Sequence, residues 1–192
     1  MSTQPQPFLT PEQYLEIERK AEFKSEYYRG EMFAMAGGSY RHSRIIANMT
    51  VAFSLSLAAS DCDVVTQDLR VATSPDGLYC YPDLIVVCGQ PEFLDAQQDT
   101  LTNPLIIVEV LSPSTAGYDR GARFEIYRAI SSLSDYIIVA QDRVHIEVHS
   151  RQPDGRWMLA ESGSLDDTIR VPSVLIDLPV SDIYRRVAFE SR

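Results

Sequence analysis

The chain has almost no lysine. Lys20 and Lys24 are the only two in 192 residues, and 17 Lys and Arg stand against 27 Asp and Glu, a net charge of −10. Affinity for a phosphate backbone comes largely from cationic side chains, so this balance argues against a general nucleic-acid coat protein. It leaves room for a nuclease, whose metal-binding carboxylates add negative charge beside a local basic groove. Cysteine is also scarce. Cys62, Cys80 and Cys88 are odd in number and lack the paired spacing of a zinc site, so neither a disulfide framework nor a metal ligand set is expected. Cys88 ends an apolar run and reads as a small buried hydrophobe. No apolar run approaches the roughly 18 residues of a membrane helix. The segment from Met1 to Pro7 lacks the positive region and apolar core of a secretion signal, and the expected location is the cytoplasm. No Gly-rich phosphate loop follows a strand, Ser112-Pro113-Ser114 does not form a nucleophile elbow, and no internal repeat or linker interrupts the chain. What is present, 45% hydrophobic and 23% charged residues, is ordinary for a globular protein, and one domain over residues 1–192 is expected.

Thr10-Pro11-Glu12-Gln13 combines a cap, Pro at the first helical position and Gln at the capping-box position, and predicts a helix to about Lys20. Two short strand-like runs flank Arg29-Gly30 and predict a tight hairpin. Ile45, Ile46, Met49, Phe53 and Leu57 recur at helical spacing between Tyr40 and Ala59. A strand is expected from Asp63 to Ala72, followed by a turn at Ser74-Pro75-Asp76-Gly77. Pro82 to Cys88 and Leu105 to Leu111 are nearly continuous in branched apolar residues, as in the centre of a sheet covered on both faces. A helix from about Asp119 to Ile130, a buried strand from Tyr136 to Ala140 and hairpin-like strands from Arg143 to Ile176 complete the order, with Ser181 as a cap for a last short turn. The implied class is α/β: a central mixed sheet flanked by helices, an N-terminal helix and hairpin, and a β-rich C-terminal extension.

Glu109 carries the chemical argument. Every neighbour in Leu105-Ile106-Ile107-Val108-Glu109-Val110-Leu111 is apolar, and an isolated carboxylate there must be paired, protonated or bound to a cation. Asp83 heads the other central strand, so the two acids can converge on one hard cation such as Mg²⁺. Such an ion activates water and neutralises charge on a phosphate. Asp83 alone also fits an ordinary strand-edge position. His42 shares a helix face with Ile45, Ile46 and Met49 and reads as a packing or capping residue. His145 and His149 alternate with Ile146 and Val148; as a metal pair they lack obvious third ligands and read as surface residues.

Ser25-Glu26-Tyr27-Tyr28-Arg29-Gly30-Glu31, Tyr81-Pro82-Asp83-Leu84-Ile85-Val86-Val87, Val108-Glu109-Val110-Leu111-Ser112-Pro113-Ser114-Thr115 and the stretch from Tyr118 to Arg128 resemble, in order, the landmarks of the Uma family. This family, formerly a domain of unknown function, is grouped with the PD-(D/E)XK nucleases, and the resemblance spans roughly residues 8–185. It implies a restriction-endonuclease-like core, Mg²⁺ or Mn²⁺ as cofactor, hydrolysis of DNA phosphodiesters and a homodimer that addresses two strands. By the same resemblance Asp83 and Glu109 hold the metal, and Glu26 supports them as a metal or water ligand. The motif's Lys is expected two residues after Glu109, where Leu111 stands; the family takes it from the next helix, where this chain has Arg123. Arg stays protonated and does not pass protons, so Arg123 either stabilises charge on the phosphate or merely neutralises Glu109. Lys24 is a candidate substitute, and Asp68 a further acid that the sequence does not rank against Glu26. The alternative function is a nuclease-fold protein that has lost turnover and binds nucleic acid or a protein partner.

Overall fold

The computed structural model describes residues 8–112 and 116–189. Thr10 starts the first helix as its sequence predicts. In α1 (Pro11–Glu18) its hydroxyl accepts from the Gln13 N–H while the Gln13 side chain accepts from the Thr10 N–H. β1 (Ser25–Tyr28) and β2 (Glu31–Ala34) then pair antiparallel around Arg29-Gly30, whose φ angles of 47° and 91° are both positive. Two such residues in succession make the turn whose twist matches a hairpin. In α2 (Tyr40–Ser56) the Ser39 hydroxyl caps the His42 N–H, and the expected stripe of Ile45, Ile46, Met49 and Phe53 is buried.

The centre of the molecule is a six-stranded sheet. Its order is β11 (Trp157–Ser162), β10 (Ile146–Arg151), β9 (Asp135–Ala140), β8 (Ile106–Leu111), β6 (Leu84–Cys88) and β3 (Cys62–Thr66). β8 and β9 run parallel and the other neighbours antiparallel. The apolar runs of β6, β8 and β9 are central because both faces are covered. Ile106, Val108 and Val110 pack with α2 and the C-terminal segment, while Ile107 and Leu111 pack on the opposite side with Val71, Leu78 and Tyr127. A second sheet has the order β2, β1, β5 (Leu78–Cys80), β4 (Arg70–Ala72) and β7 (Thr100–Leu101). The C-terminal extension adds the hairpin of β12 (Thr168–Val171) and β13 (Ile176–Pro179), then α5 (Val180–Ile183). The architecture is therefore the mixed α/β arrangement read from the sequence. Among the described residues no helix is long and apolar enough to cross a membrane.

Five local expectations need correction or fall outside the described residues. The strand predicted over Asp63 to Ala72 is two strands in different sheets, because the chain turns at Gln67-Asp68. The helix predicted from Asp119 to Ile130 is broken into α3 (Ala116–Tyr118), a π-helical turn over Asp119–Arg123 and α4 (Phe124–Tyr127). Gly121 lies inside that turn, where glycine weakens regular helix by about 1 kcal/mol. Cys62 and Cys88 form a disulfide, contrary to expectation, since antiparallel β3 and β6 set them directly opposite each other. Strand register, not sequence spacing, made the pair, and Cys80 remains buried and free. Ser181 lies within α5 and makes no side-chain cap. Residues 1–7 and 113–115, which include part of the family landmark after Glu109, lie outside the described residues.

Candidate active site

Antiparallel pairing of β6 with β8 sets Leu84 opposite Val108, so Asp83 and Glu109 fall side by side at one end of the sheet. That end is also where parallel β8 and β9 finish, the usual location of a site on such strands. The N-terminus of α2, the β1–β2 hairpin and the π turn close around it. Together they line an open cleft of about 1120 Å³ with Glu26, Asp83, Glu109, Asp119 and Arg123 among its walls.

Arg123 is the hub. Its Nη2 lies 2.6 Å from Glu26 Oε2, its Nη1 3.1 Å from Glu109 Oε1, and its Nε 3.2 Å from Asp119 Oδ1, the last without hydrogen-bond alignment. The π turn brings Asp119 and Arg123 to bear together, a use to which such turns are often put. Tyr127 donates its hydroxyl to Glu109 Oε1 at 2.7 Å. Glu26, for which the sequence also allowed an exposed strand position, thus faces inward. Asp83 is held separately: Oδ2 accepts the Val110 N–H at 2.8 Å and lies 3.1 Å from His42 Nε2. His42 is accordingly more than a packing residue. Gly38 makes room for it, because a Cβ there would stand 2.6 Å from His42 Nδ1. Ser39 donates to Gln141 Oε1 at 2.5 Å, and Gln141 donates to the Leu111 carbonyl at 2.8 Å, tying the start of α2 to the ends of β8 and β9.

Charge in this cluster is unbalanced. Burial drives the Glu109 carboxyl up to about 8; Arg123 opposes the rise, and the nearby Asp83 and Asp119 charges add to it. Burial alone would lower His42, but its contact with Asp83 outweighs this and holds the imidazole above its ordinary value. Among the described residues, Asp83 Oδ1 and Glu109 Oε2 enter none of these contacts. Two hard oxygens from adjacent strands, in a cluster with excess negative charge, fit a hard divalent cation.

Other residues singled out by sequence stand apart from the Arg123 cluster. Lys24 pairs with the exposed Asp68, donates to the Gln67 carbonyl and lies over the Tyr81 ring, on the cleft wall. His145 and His149 are half-buried rather than on the surface. Register puts Glu147 and Glu161 opposite each other, and His145 Nε2 lies 3.2 and 3.4 Å from them. His145, Glu147 and Glu161 thus come together without His149, although Arg120 already holds Glu147 at 2.6 Å and none of these residues lines the cleft. Asp119, Tyr127 and Gln141 were not singled out. Only Asp119 left a signal, one helical turn before Arg123.

The sequence matches a family model described as "Uma2: Putative restriction endonuclease" over residues 11–181. "Uncharacterized protein slr1290" of Synechocystis sp. (strain ATCC 27184 / PCC 6803 / Kazusa) is 35% identical over 185 residues, covering 96% of each chain. "Uncharacterized protein sll1609" of the same organism is 35% identical over 153 residues, or 80% of this chain and 86% of that one. A crystal structure of "a putative nuclease belonging to DUF820" from Anabaena variabilis ATCC 29413 superposes with a TM-score of 0.75 at 16% identity. It covers 92% of this chain and 97% of that one, a likeness of fold.

Proposed function

The chain belongs to the Uma2 family, and from that premise we propose that it is a divalent-metal-dependent endonuclease that hydrolyses DNA phosphodiester bonds. The observation that carries the reading is Glu109, a carboxyl group buried in the middle of an apolar strand and set beside Asp83 at the floor of an open cleft. Asp83 and Glu109 would hold Mg²⁺ or Mn²⁺, which supplies an activated water and neutralises charge developing on the scissile phosphate. Glu26 and Asp119 orient Arg123, and its guanidinium is a fixed positive charge that can face a phosphate oxygen. His42 and the Val110 N–H fix the rotamer of Asp83, and Tyr127 does the same for Glu109. We propose further that it acts as a homodimer, as the family resemblance implies.

Plasmid cleavage in Mg²⁺ or Mn²⁺ tests the reading. The native protein should nick or linearise DNA, Asp83→Asn should abolish this, and Arg123→Ala should slow it by about a hundredfold, as loss of a charge-stabilising donor does. A second reading rests on Arg123 being held by Glu26, Glu109 and Asp119: a site that keeps its fold but has lost turnover. Cutting by Arg123→Lys but not by the native protein would establish it. If neither protein cuts, and calorimetry detects no divalent-ion binding, the assignment of the acids fails.

A further inference from the structure

We infer that the cleft takes an unpaired DNA strand in preference to a duplex, holding its bases on an apolar wall built by the N-terminal hairpin and the first turn of α2. The inference rests on the reading of this cleft as a DNA site and adds the form of DNA it accepts. Phe23, Phe33, Met35 and Tyr40 all line the cleft, yet are 80%, 47%, 38% and 77% exposed. Large exposed apolar side chains gathered along one cleft, rather than scattered singly, are the kind of surface a ligand or partner covers.

Strand register ties this wall to the chemistry. Glu26 and Phe33 are directly opposed in the β1–β2 hairpin, so their side chains share one face. Glu26 is the residue that grips Arg123. A base lying on Phe33 therefore rests on the same hairpin face that reaches the guanidinium. Met35 follows Phe33 at the alternating position, and its N–H bonds to the Lys24 carbonyl across the hairpin.

Charge points the same way. Five acidic side chains line the cleft against three Lys and Arg, and two of those cations, Lys24 and Arg123, already hold carboxylates. Duplex binding draws its strength from many phosphate contacts, with a steep salt dependence. This cleft has too few cations to supply them. Stacking on aromatic rings contributes about 1–3 kcal/mol per base, tolerates any sequence and is open only to bases that are not already paired and stacked in a duplex. The cleft volume of about 1120 Å³ exceeds the roughly 300–1,000 Å³ of a small-molecule pocket, giving room for more than one nucleotide.

Fluorescence anisotropy of the full chain in Ca²⁺, with a 5′-labelled strand of about 20 nucleotides and the same strand in a blunt duplex, tests the inference. The single strand should bind at least about tenfold more tightly. Phe33→Ala/Tyr40→Ala should weaken single-strand binding by about thirtyfold or more, from the stacking range given above, and leave the duplex nearly unchanged. Both positions are solvent-exposed, and a thermal melt matching the native protein excludes misfolding. Equal or tighter duplex binding overturns the inference, as does full single-strand affinity in the double variant. A variant that only changes the oligomeric state on a sizing column assigns the wall to a second copy of the chain and overturns it too. Selective single-strand binding with no cleavage of that strand in Mg²⁺ leaves the inference standing and removes the catalytic reading. Absence of binding to either DNA removes both.

Discussion

Arg123 is the residue on which most of the local electrostatics depends. Three carboxyl groups surround its guanidinium, and it is only 8% exposed. Removing one partner of a buried ion pair costs about 3–5 kcal/mol, because the remaining charges are left uncompensated. Arg123→Ala should therefore lower unfolding free energy by about that amount in a urea titration at neutral pH, and added Mg²⁺ should restore part of it. A loss below 1 kcal/mol would show that solvent screens the cluster. Glu109 was legible in the sequence because a carboxylate inside an apolar strand is a purely local anomaly, whereas Asp83, at a strand head, drew notice only beside it. Arg123 was legible through the family resemblance, whereas nearby Arg120 turns instead to Glu147. His42 was misjudged for a related reason: its helix face was clear, but its contact with Asp83 exists only once two distant strand and helix ends meet.

At the scale of elements, the β1–β2 hairpin and the β3–β6 pair make distinct predictions. Gly30 has φ of 91°, and a Cβ on it would stand 2.5 Å from the Phe8 ring. Gly30→Ala should cost more than about 1 kcal/mol, read as a shifted denaturation midpoint, since a side chain is strained there in both respects. The Cys62–Cys88 bond ties an edge strand to the strand that Asp83 heads. Cys62→Ser/Cys88→Ser should lower stability by about 2–4 kcal/mol, and dithiothreitol should lower the melting temperature of the native protein but not of the double variant. Helices and hairpins with local start and stop signals, such as Thr10 with Gln13 or Arg29-Gly30, followed from sequence alone. The disulfide and the π turn did not. The first depends on which strands pair, and the second on what Asp119 and Arg123 gain by facing the same carboxylate cluster.

For the whole molecule, one carboxylate ties separate parts together. Asp99 accepts from Arg19 after α1 at 2.7 Å and lies 2.9 Å from Arg70 of β4. Its hydrogen bond to Arg19 and the charge of Arg70 outweigh burial and hold its pKa well below the usual carboxylate range. A depressed carboxylate stabilises the fold above its ordinary value of about 4, and this contribution is lost as pH falls below it. Asp99→Asn should destabilise the protein at pH 7, and the gap from the native protein should narrow steadily toward pH 3 in parallel urea titrations. A gap independent of pH would mean that the aspartate acts through shape alone. The overall α/β layering was readable because apolar β6, β8 and β9 demand cover on both faces. The cleft was not, since its walls come from residues near 23–42, 83, 109 and 119–123, which no sequence window contains together. That separation has a practical consequence. The hairpin that forms the exposed wall joins the rest of its sheet through only two register pairs, Tyr27 with Tyr79 and Tyr28 with Leu78. Its outer strand, β2, is therefore an interchangeable part: grafting the equivalent strand from a relative onto this scaffold should exchange what the protein grips while the floor beneath keeps its own chemistry.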